Sequence, residues 1–354
     1  MVAGLTRTVA DDLLARLPLS PDAYPHNVDL VRNAILLLRL EPGSYRQASF
    51  LDDRMLGPGL KGTWVTSNLA VSALSRVECA KPLHFIFHTG HVGSTLISRL
   101  LDETGELLPL REPQSLRSLA DAHDTLERPE ALLSAAQFQV LLDAFLNAWR
   151  RGYADTSAVL LKATSSAGRL AGVLLQREKA ARALYVNLRA EPCLATLLAG
   201  ANTALDLRGH GPARLRRLAA QIVLPLAPLH AMSPGELAAM SWLTETLTQR
   251  DCLRREPDRV MAIDFDEFLL DVPGVLSAIW AHLLLPGTPI LEANRLASAL
   301  ARYSKAPEHG YSPALRADLL NDARRSQAAE IRRGRVWLEN LARREPAVAA
   351  VLST

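Results

Sequence analysis

Short apolar runs alternate with turn-marking residues and with longer amphipathic stretches through the middle of the chain. The clearest run, Leu83–His88, has the length of one β-strand and leads directly into two closely spaced glycines. Residues 94–103 then place their leucines and isoleucine on one helical face. The pattern predicts a strand, a glycine loop and a helix, in that order.

Further apolar runs of strand length follow, each trailed by a helical pattern until late in the chain. They cover Leu107–Arg111, Ala158–Lys162, 183–188 and 259–263. Alternating strands and helices indicate right-handed crossovers and a parallel sheet covered on both faces. Helical patterns over 129–151 and about 212–254 predict insertions, and residues from 291 onward also read as helical.

The first part of the chain is less regular. Residues 11–17 predict a short helix, whereas the apolar spacing over 29–40 fits either a helix or a strand. No function follows from this region. We therefore expect a mixed N-terminal region over 1–80, an α/β domain with helical insertions over 81–290, and a helical C-terminal extension over 291–354.

Composition excludes several classes of protein. The chain has 354 residues, 49% of them hydrophobic and 22% charged, which is globular composition. A net charge of +3 and 5% aromatic residues argue against nucleic acid as a partner. Three widely spaced cysteines give no zinc-binding spacing and favour a reducing cytoplasm, and no long uncharged apolar run predicts membrane insertion. Oligomeric state cannot be read from the sequence.

The first candidate site is the glycine loop His88-Thr89-Gly90-His91-Val92-Gly93-Ser94-Thr95. Its glycines let backbone N–H groups turn inward, and a helix N-terminus adds partial positive charge, so the segment suits a phosphate or sulfate. The lysine of the nucleotide triphosphatase pattern is absent, because Ser94 follows Gly93 directly. A tight turn with a serine cap and no ligand remains the alternative.

Three charged residues stand where later strands end. Glu112 follows the second strand and is either a general base, a helix N-cap, or the ion-pair partner of Arg111 or Arg117. Lys162, one of only five lysines, either faces a polyanion or reaches solvent. Arg189 suits a terminal phosphate, or else pairs with Glu191 or another acid.

Asp264 follows the last predicted strand, with Glu267 three residues later. These acids could hold magnesium, but the spacing favours helix capping. The nine histidines show no metal-ligand spacing, and we expect no metal site.

These pieces, in this order, resemble the P-loop sulfotransferase superfamily, particularly its bacterial branch and its tyrosylprotein and carbohydrate enzymes rather than the cytosolic type. The resemblance covers about residues 83–285. The family's 5′-phosphosulfate loop is similar to Gly90-His91-Val92-Gly93-Ser94-Thr95, and its 3′-phosphate motif is similar to Arg189 with Thr196 as the nearest hydroxyl. Its acidic base corresponds in position to Glu112, and its strand-end lysine to Lys162.

The resemblance implies a P-loop type parallel sheet flanked by helices, and transfer of a sulfuryl group from 3′-phosphoadenosine 5′-phosphosulfate to a hydroxyl or amine of a small molecule or glycan. Glu112, Lys162 and His91 would be catalytic, and Gly90 to Thr95 with Arg189 and Thr196 would bind the donor. His91 stands where the family has Lys or Arg. A nucleotide-binding protein without turnover and a magnesium-dependent small-molecule kinase remain as alternatives.

Overall fold

The computed structural model describes residues 8–200, 203–287, 293–302 and 312–353. Its strands are β1 Ala23–Asp29, β2 Ala34–Arg39, β3 Gly62–Thr66, β4 Leu83–His88, β5 Leu107–Arg111, β6 Ala158–Lys162, β7 Ala183–Asn187 and β8 Val260–Asp264. Its helices are α1 Val9–Arg16, α2 Pro42–Gln47, α3 Ser67–Leu74, α4 Ser94–Asp102, α5 Gln114–His123, α6 Ala135–Trp149, α7 Ala171–Arg177, α8 Ala190–Ala199, α9 Thr203–Gly209, α10 Gly211–Ala219, α11 Pro234–Arg255, α12 Phe265–Leu270, α13 Val272–His282, α14 Ala293–Leu300, α15 Pro313–Ser326, α16 Ala328–Ala342 and α17 Pro346–Leu352.

Five strands form a parallel sheet in the order β5-β6-β4-β7-β8, flanked by helices. Every residue of β4, β5 and β6 is buried, as expected for strands covered on both faces. The predicted α/β class is therefore confirmed. The strands β4, β5 and β6 have the predicted bounds, whereas β7 ends one residue earlier and β8 lies one residue later than expected.

The N-terminal region forms a separate antiparallel sheet in the order β1-β2-β3. The ambiguous stretch over 29–40 turns out to be a tight turn followed by β2. Asn33 closes that turn with φ 50°, a left-handed conformation that asparagine tolerates better than most residues. The apolar spacing was compatible with this outcome but did not decide it.

Arg151 ties the N-terminal region to the end of α6. Its side chain is 1% exposed and donates hydrogen bonds to the carbonyl oxygens of Leu17 and Ser20 at 2.6 Å and of Ala23 at 2.8 Å. Burying a guanidinium is costly unless its donors are satisfied, and here backbone carbonyls satisfy them. The start of β1 is thereby anchored on the neighbouring helix.

Arg111, the last residue of β5, provides a second anchor. Its fully buried guanidinium donates to Asp102 Oδ2 at 2.8 Å and to Ser98 Oγ at 3.1 Å. It also donates to three carbonyl oxygens around the end of α2, those of Tyr45, Arg46 and Ala48. One arginine therefore joins α2, α4 and β5.

The insertions and the C-terminal region are helical. The stretch over 129–151 contains α6, and that over 212–254 contains parts of α10 and α11. Both α6 and α11 begin at a serine capping box, at Ser134 and Ser233. Of the stretch from 291 onward, α14 to α17 are helical, while 291–292, 303–311 and 354 lie outside the described residues.

The described chain divides into two compact units. The first holds residues 8–86, 97–182 and 280–287, with the antiparallel sheet and the strands β5 and β6. The second holds 87–96, 183–200, 203–279, 293–302 and 312–353, with β7, β8 and the C-terminal helices. The candidate residues are distributed over both units. Among the helices described, none combines the length and apolar character needed to cross a membrane.

Candidate functional site

The loop between β4 and α4 has an unusual backbone. Gly90, His91 and Gly93 all have positive φ, at 103°, 53° and 71°. A left-handed histidine costs roughly 1–2 kcal/mol and is uncommon unless its surroundings fix it. Consecutive turns of this kind, followed by a helix N-terminus, form concave arrays of N–H groups that bind anions. The loop of the second unit therefore shares these backbone features with anion-binding loops.

Gly93 is required for a second reason, which is contact with Phe265 at the start of α12. A Cβ atom added at Gly93 would lie 2.0 Å from the Phe265 ring, which is itself 4% exposed. The guanidinium of Arg316, in α15, lies over the Phe265 ring, 5.3 Å from the ring centre. Gly93 nevertheless keeps part of its own surface exposed. The loop is thus supported on one side by the aromatic ring.

We expect Gly93→Ala to lower the free energy of unfolding by more than Gly105→Ala does. Gly105 has φ 81° but open space around it, so its alanine variant bears only the backbone cost, roughly 1–2 kcal/mol. Gly93→Ala adds the clash with the buried ring of Phe265. Urea unfolding of both variants measures the two free energies of unfolding. Equal decreases would show that the Phe265 ring moves aside at no cost in stability.

Hydroxyl groups line the loop and the first turn of α4. The side chains of Thr89 and Thr95 are each 1% exposed, and among the described residues neither Oγ1 atom has a hydrogen-bond partner. A buried hydroxyl without a partner costs about 1–3 kcal/mol, so such groups generally meet a ligand or water. Ser94 is also buried, and Val92 anchors the loop with no exposed surface. His91 alone of the loop side chains is exposed.

Arg189, at the start of α8 in the second unit, is exposed, and its side chain forms no ion pair within the described ranges. Glu191, the alternative partner offered by the sequence, instead accepts two hydrogen bonds from Arg324 at 2.9 and 3.0 Å. The guanidinium of Arg189 is therefore placed at the end of β7 without a carboxylate from Glu191. This is the arrangement that an anion-binding arginine requires.

Thr196 is less favourable for its expected role. Its hydroxyl donates to the carbonyl oxygen of Pro192 at 2.8 Å, within α8. A threonine that bonds back to its own helix has used its one proton. For Thr196 to donate to a phosphate, this bond would first have to break.

In the first unit, Glu112 has a left-handed backbone, with φ 53°. Its N–H donates to the carbonyl oxygen of Lys162 at 2.6 Å. The main chain of Leu51 bonds to the residues on both sides of Glu112. Its N–H donates to the carbonyl oxygen of Arg111 at 2.6 Å, and its carbonyl oxygen accepts from the N–H of Gln114 at 3.0 Å. Backbone strain of this kind persists only where several contacts determine it, and it clusters at functional sites.

The side chain of Glu112 forms a buried ion pair with Lys162. Lys162 Nζ lies 2.5 Å from Glu112 Oε1, and the two side chains are 1% and 10% exposed. The sequence had offered Glu112 as a helix cap, but Pro113 occupies the N-cap position of α5. Lys162 does not reach solvent either, because its ammonium is satisfied by this carboxylate. The two predicted catalytic residues of the first unit are therefore in direct contact.

Sequence reasoning missed two residues beside this pair, Asp52 and Arg54. Arg54 Nη2 lies 3.8 Å from Glu112 Oε2 and 2.6 Å from Asp52 Oδ2, and its guanidinium stacks 3.3 Å from the centre of the Phe50 ring. Burial alone would lower the pKa of Arg54, but the hydrogen bond to Asp52 and the charges of both acids raise it. Nothing in the local pattern linked this segment to Glu112.

The acids after β8 are engaged in structure. Asp264 Oδ1 accepts from the N–H groups of Asp266 at 2.8 Å and Glu267 at 3.2 Å, so the capping interpretation is confirmed. Asp266 forms an ion pair with Arg316 at 2.6 Å. Within the described ranges, no group of three or more potential ligand side chains could hold a metal ion.

Comparison with known proteins gives likenesses of fold at low identity. The chain is similar to the sulfotransferase domain from the curacin biosynthetic pathway, with 15% identity, a TM-score of 0.37, and coverage of 66% of this chain and 85% of that one. It is also similar to the sulfotransferase domain from the Synechococcus PCC 7002 olefin synthase, with 16% identity, a TM-score of 0.38, and coverage of 70% and 88%. No protein-family model and no curated protein matches the chain. Likenesses this distant carry no argument about activity, which has to rest on the residues.

Proposed function

We propose that this chain transfers a sulfuryl group from 3′-phosphoadenosine 5′-phosphosulfate to a hydroxyl or amine of a small-molecule or glycan acceptor. The observation that carries the proposal is the loop from Gly90 to Thr95, whose left-handed residues precede a helix that begins with buried hydroxyls, one of them unpartnered. Such a loop suits a phosphate-bearing ligand. It lacks the lysine with which triphosphatases grip the terminal phosphates.

On the donor side, N–H groups of the loop together with Ser94 and Thr95 would hold the 5′-phosphate oxygens. His91, if protonated, would add positive charge there. Arg189 would take the 3′-phosphate. These residues fit a ligand carrying two phosphate groups, and Thr196 would join them only after rearrangement.

On the acceptor side, Glu112 would accept the acceptor's proton as the acceptor oxygen or nitrogen bonds to sulfur. The bond between sulfur and the bridging oxygen breaks, and its electron pair stays on that oxygen, which leaves as part of 3′,5′-diphosphoadenosine. Lys162 would offset the charge that develops there. The ion pair with Glu112 therefore describes the resting arrangement, from which Lys162 must turn to the donor.

The residues given these roles stand at the ends of neighbouring strands in the sheet order. The loop follows β4, Lys162 ends β6, Glu112 follows β5 and Arg189 follows β7, which are four consecutive strands in the sheet order. Open α/β sheets bind their ligands outside the carboxyl ends of such strands.

A nucleotide-binding protein without turnover is the second candidate. The Glu112–Lys162 pair favours it, since a base already bonded to an ammonium is a weak proton acceptor. A magnesium-dependent kinase is less well supported, because Asp264 caps α12 and Asp266 pairs with Arg316.

Cytoplasmic location is part of the proposal and rests on the cysteines. Cys79, Cys193 and Cys252 are all free thiols. Burial raises the pKa of Cys193 to about 12, so this thiol is inert at neutral pH.

Thermal shift and turnover assays together separate the three functions. Only a ligand that binds the folded state raises the unfolding midpoint, so 3′,5′-diphosphoadenosine is expected to raise it and ATP with magnesium is not. Transfer of radiolabelled sulfur from the donor to a panel of hydroxyl and amine acceptors completes the test. A shift without any transfer would favour the binding protein, and a larger shift with ATP and magnesium would favour the kinase.

Arg189→Ala is expected to weaken 3′,5′-diphosphoadenosine more than adenosine 5′-phosphosulfate, because only the first ligand carries the 3′-phosphate. Losing a charge-assisted contact typically costs about 1.5–3 kcal/mol, or roughly 10- to 150-fold in Kd. Isothermal titration measures both ligands, and Arg208→Ala, another exposed arginine of the same unit, is the matched control. Equal losses for the two ligands would remove Arg189 from the 3′-phosphate site.

A further inference from the structure

Among the described residues of the first unit, Lys162 and Arg54 are cations that pair with Glu112, and they face different oxygens of its carboxylate. Lys162 Nζ bonds to Oε1 at 2.5 Å, whereas Arg54 Nη2 faces Oε2 at 3.8 Å. The proposed reaction requires Lys162 to serve the bridging oxygen of the donor. When Lys162 turns away, Glu112 would be left as a buried carboxylate without its closest counter-charge, which is unfavourable unless another cation remains.

Arg54 is fixed where such a cation is needed. Asp52 receives hydrogen bonds from Arg54 Nε at 2.9 Å and from Nη2 at 2.6 Å, and the Phe50 ring supports the guanidinium from one face. Leu51, in the same segment, holds the backbone on both sides of Glu112. The segment over 50–54 therefore controls both the main chain and the charge around this carboxylate.

We propose that Arg54 is a positioning residue for Glu112: it is the standing counter-charge that keeps this carboxylate ionised and in place while Lys162 turns to the donor. The inference rests on the proposed function for its role in the reaction. The attraction between Arg54 and Glu112 that it assumes can be measured in a protein that has no enzymatic activity.

The other charged groups near Glu112 modify this attraction. Asp52 is a like charge, but Arg54 neutralises it directly and Arg117 Nη2 lies 3.8 Å from it. His26 bonds to the neighbouring Asp53 at 3.1 Å, and burial lowers its pKa. Within the described ranges, Lys162 also pairs with Glu112 itself. Any pH effect assigned to Arg54 has to be separated from the titration of His26.

The first test is the pH profile of kcat/KM for sulfuryl transfer. Removing the neighbouring cation favours the protonated carboxyl group, so the acid limb of the profile should move to higher pH in Arg54→Gln, by about one pH unit. Arg54→Lys should restore most of the shift. Arg99→Gln is the matched control, because Arg99 donates to Ser49 Oγ at 2.7 Å and so anchors the residues just before Phe50. An unmoved limb in Arg54→Gln, or an equal shift in Arg99→Gln, would overturn the proposal.

The second test needs no activity and therefore survives failure of the proposed function. Urea unfolding of wild type, Arg54→Gln, Glu112→Gln and the double variant gives the coupling between the two positions. At pH 7 we expect the coupling to change the unfolding equilibrium constant by about threefold or more. This coupling should disappear at low pH, where Glu112 is protonated. His26 titrates in all four proteins, so its contribution cancels. Additive effects at pH 7, or coupling that is independent of pH, would contradict the proposal even if sulfuryl transfer is observed.

Discussion

Glu112→Gln is expected to slow sulfuryl transfer by about 100- to 10,000-fold, the range associated with loss of a general base. Glutamine keeps the size of the side chain and can still accept a hydrogen bond from Lys162, but it cannot take up the acceptor's proton. Binding of 3′,5′-diphosphoadenosine should change little, because the carboxylate is assigned to the acceptor. Steady-state kinetics together with titration of the nucleotide measure the two effects separately.

Stability must be followed in the same experiment, since the variant leaves Lys162 buried beside a neutral partner. Breaking a buried pair from one side typically costs about 3–5 kcal/mol. Glu112→Gln combined with Lys162→Met removes the unpaired charge as well, and should regain stability without regaining activity. Glu106→Gln, a partly buried glutamate just before the same strand, is the control that should remain active. Near-normal turnover in Glu112→Gln would show that the ion pair between Glu112 and Lys162 has only a structural role.

Arg111→Met is expected to lower the free energy of unfolding by about 3–5 kcal/mol, the range for breaking a buried ion pair from one side. The variant leaves Asp102 without its buried partner and releases three carbonyl oxygens near α2. Burial raises the pKa of Asp102 even with Arg111 and Arg46 beside it. Desolvation is thus the dominant influence on this acid, and losing a cation would add to it.

Arg46→Met is the matched control, because Arg46 also pairs with Asp102, at 3.1 Å, but its side chain is 42% exposed. An exposed pair contributes only about 0–1 kcal/mol, so this variant should lose far less stability. Combining Arg111→Met with Asp102→Leu removes both buried charges and should recover part of the loss. Similar losses for Arg46→Met and Arg111→Met in urea unfolding would contradict this account.

The strands of the parallel sheet could be predicted because each is a short apolar run bounded by residues that stop it. Leu83–His88 is followed by glycines, and Leu107–Arg111 by Pro113, so both strands could be located to the residue. The sequence did not decide between a helix and a strand over 29–40, because the apolar spacing there fits both. Only the turn at Asn33 decides between them.

The candidate site was predicted as separate residues and not as contacts. The positions of Glu112 and Lys162 at strand ends made them candidates, yet their pairing depends on β5 and β6 being neighbours, which no local pattern reveals. Arg54 had no signal at all, since its relation to Glu112 arises from a chain segment that returns from far upstream. Contacts of this kind are set by tertiary structure and not by periodicity.

The two backbone hydrogen bonds of Leu51 bear on how far this protein can be divided. A fragment beginning at residue 81 would retain the glycine loop, the five parallel strands and Arg189, and so would keep the proposed donor-binding residues. It would lose the residue that brackets Glu112, together with Arg54 and the carbonyl partners of Arg111. Grafting or recombination that treats the α/β portion as portable would therefore carry Glu112 and the proposed donor-binding residues without the segment that holds Glu112 in place.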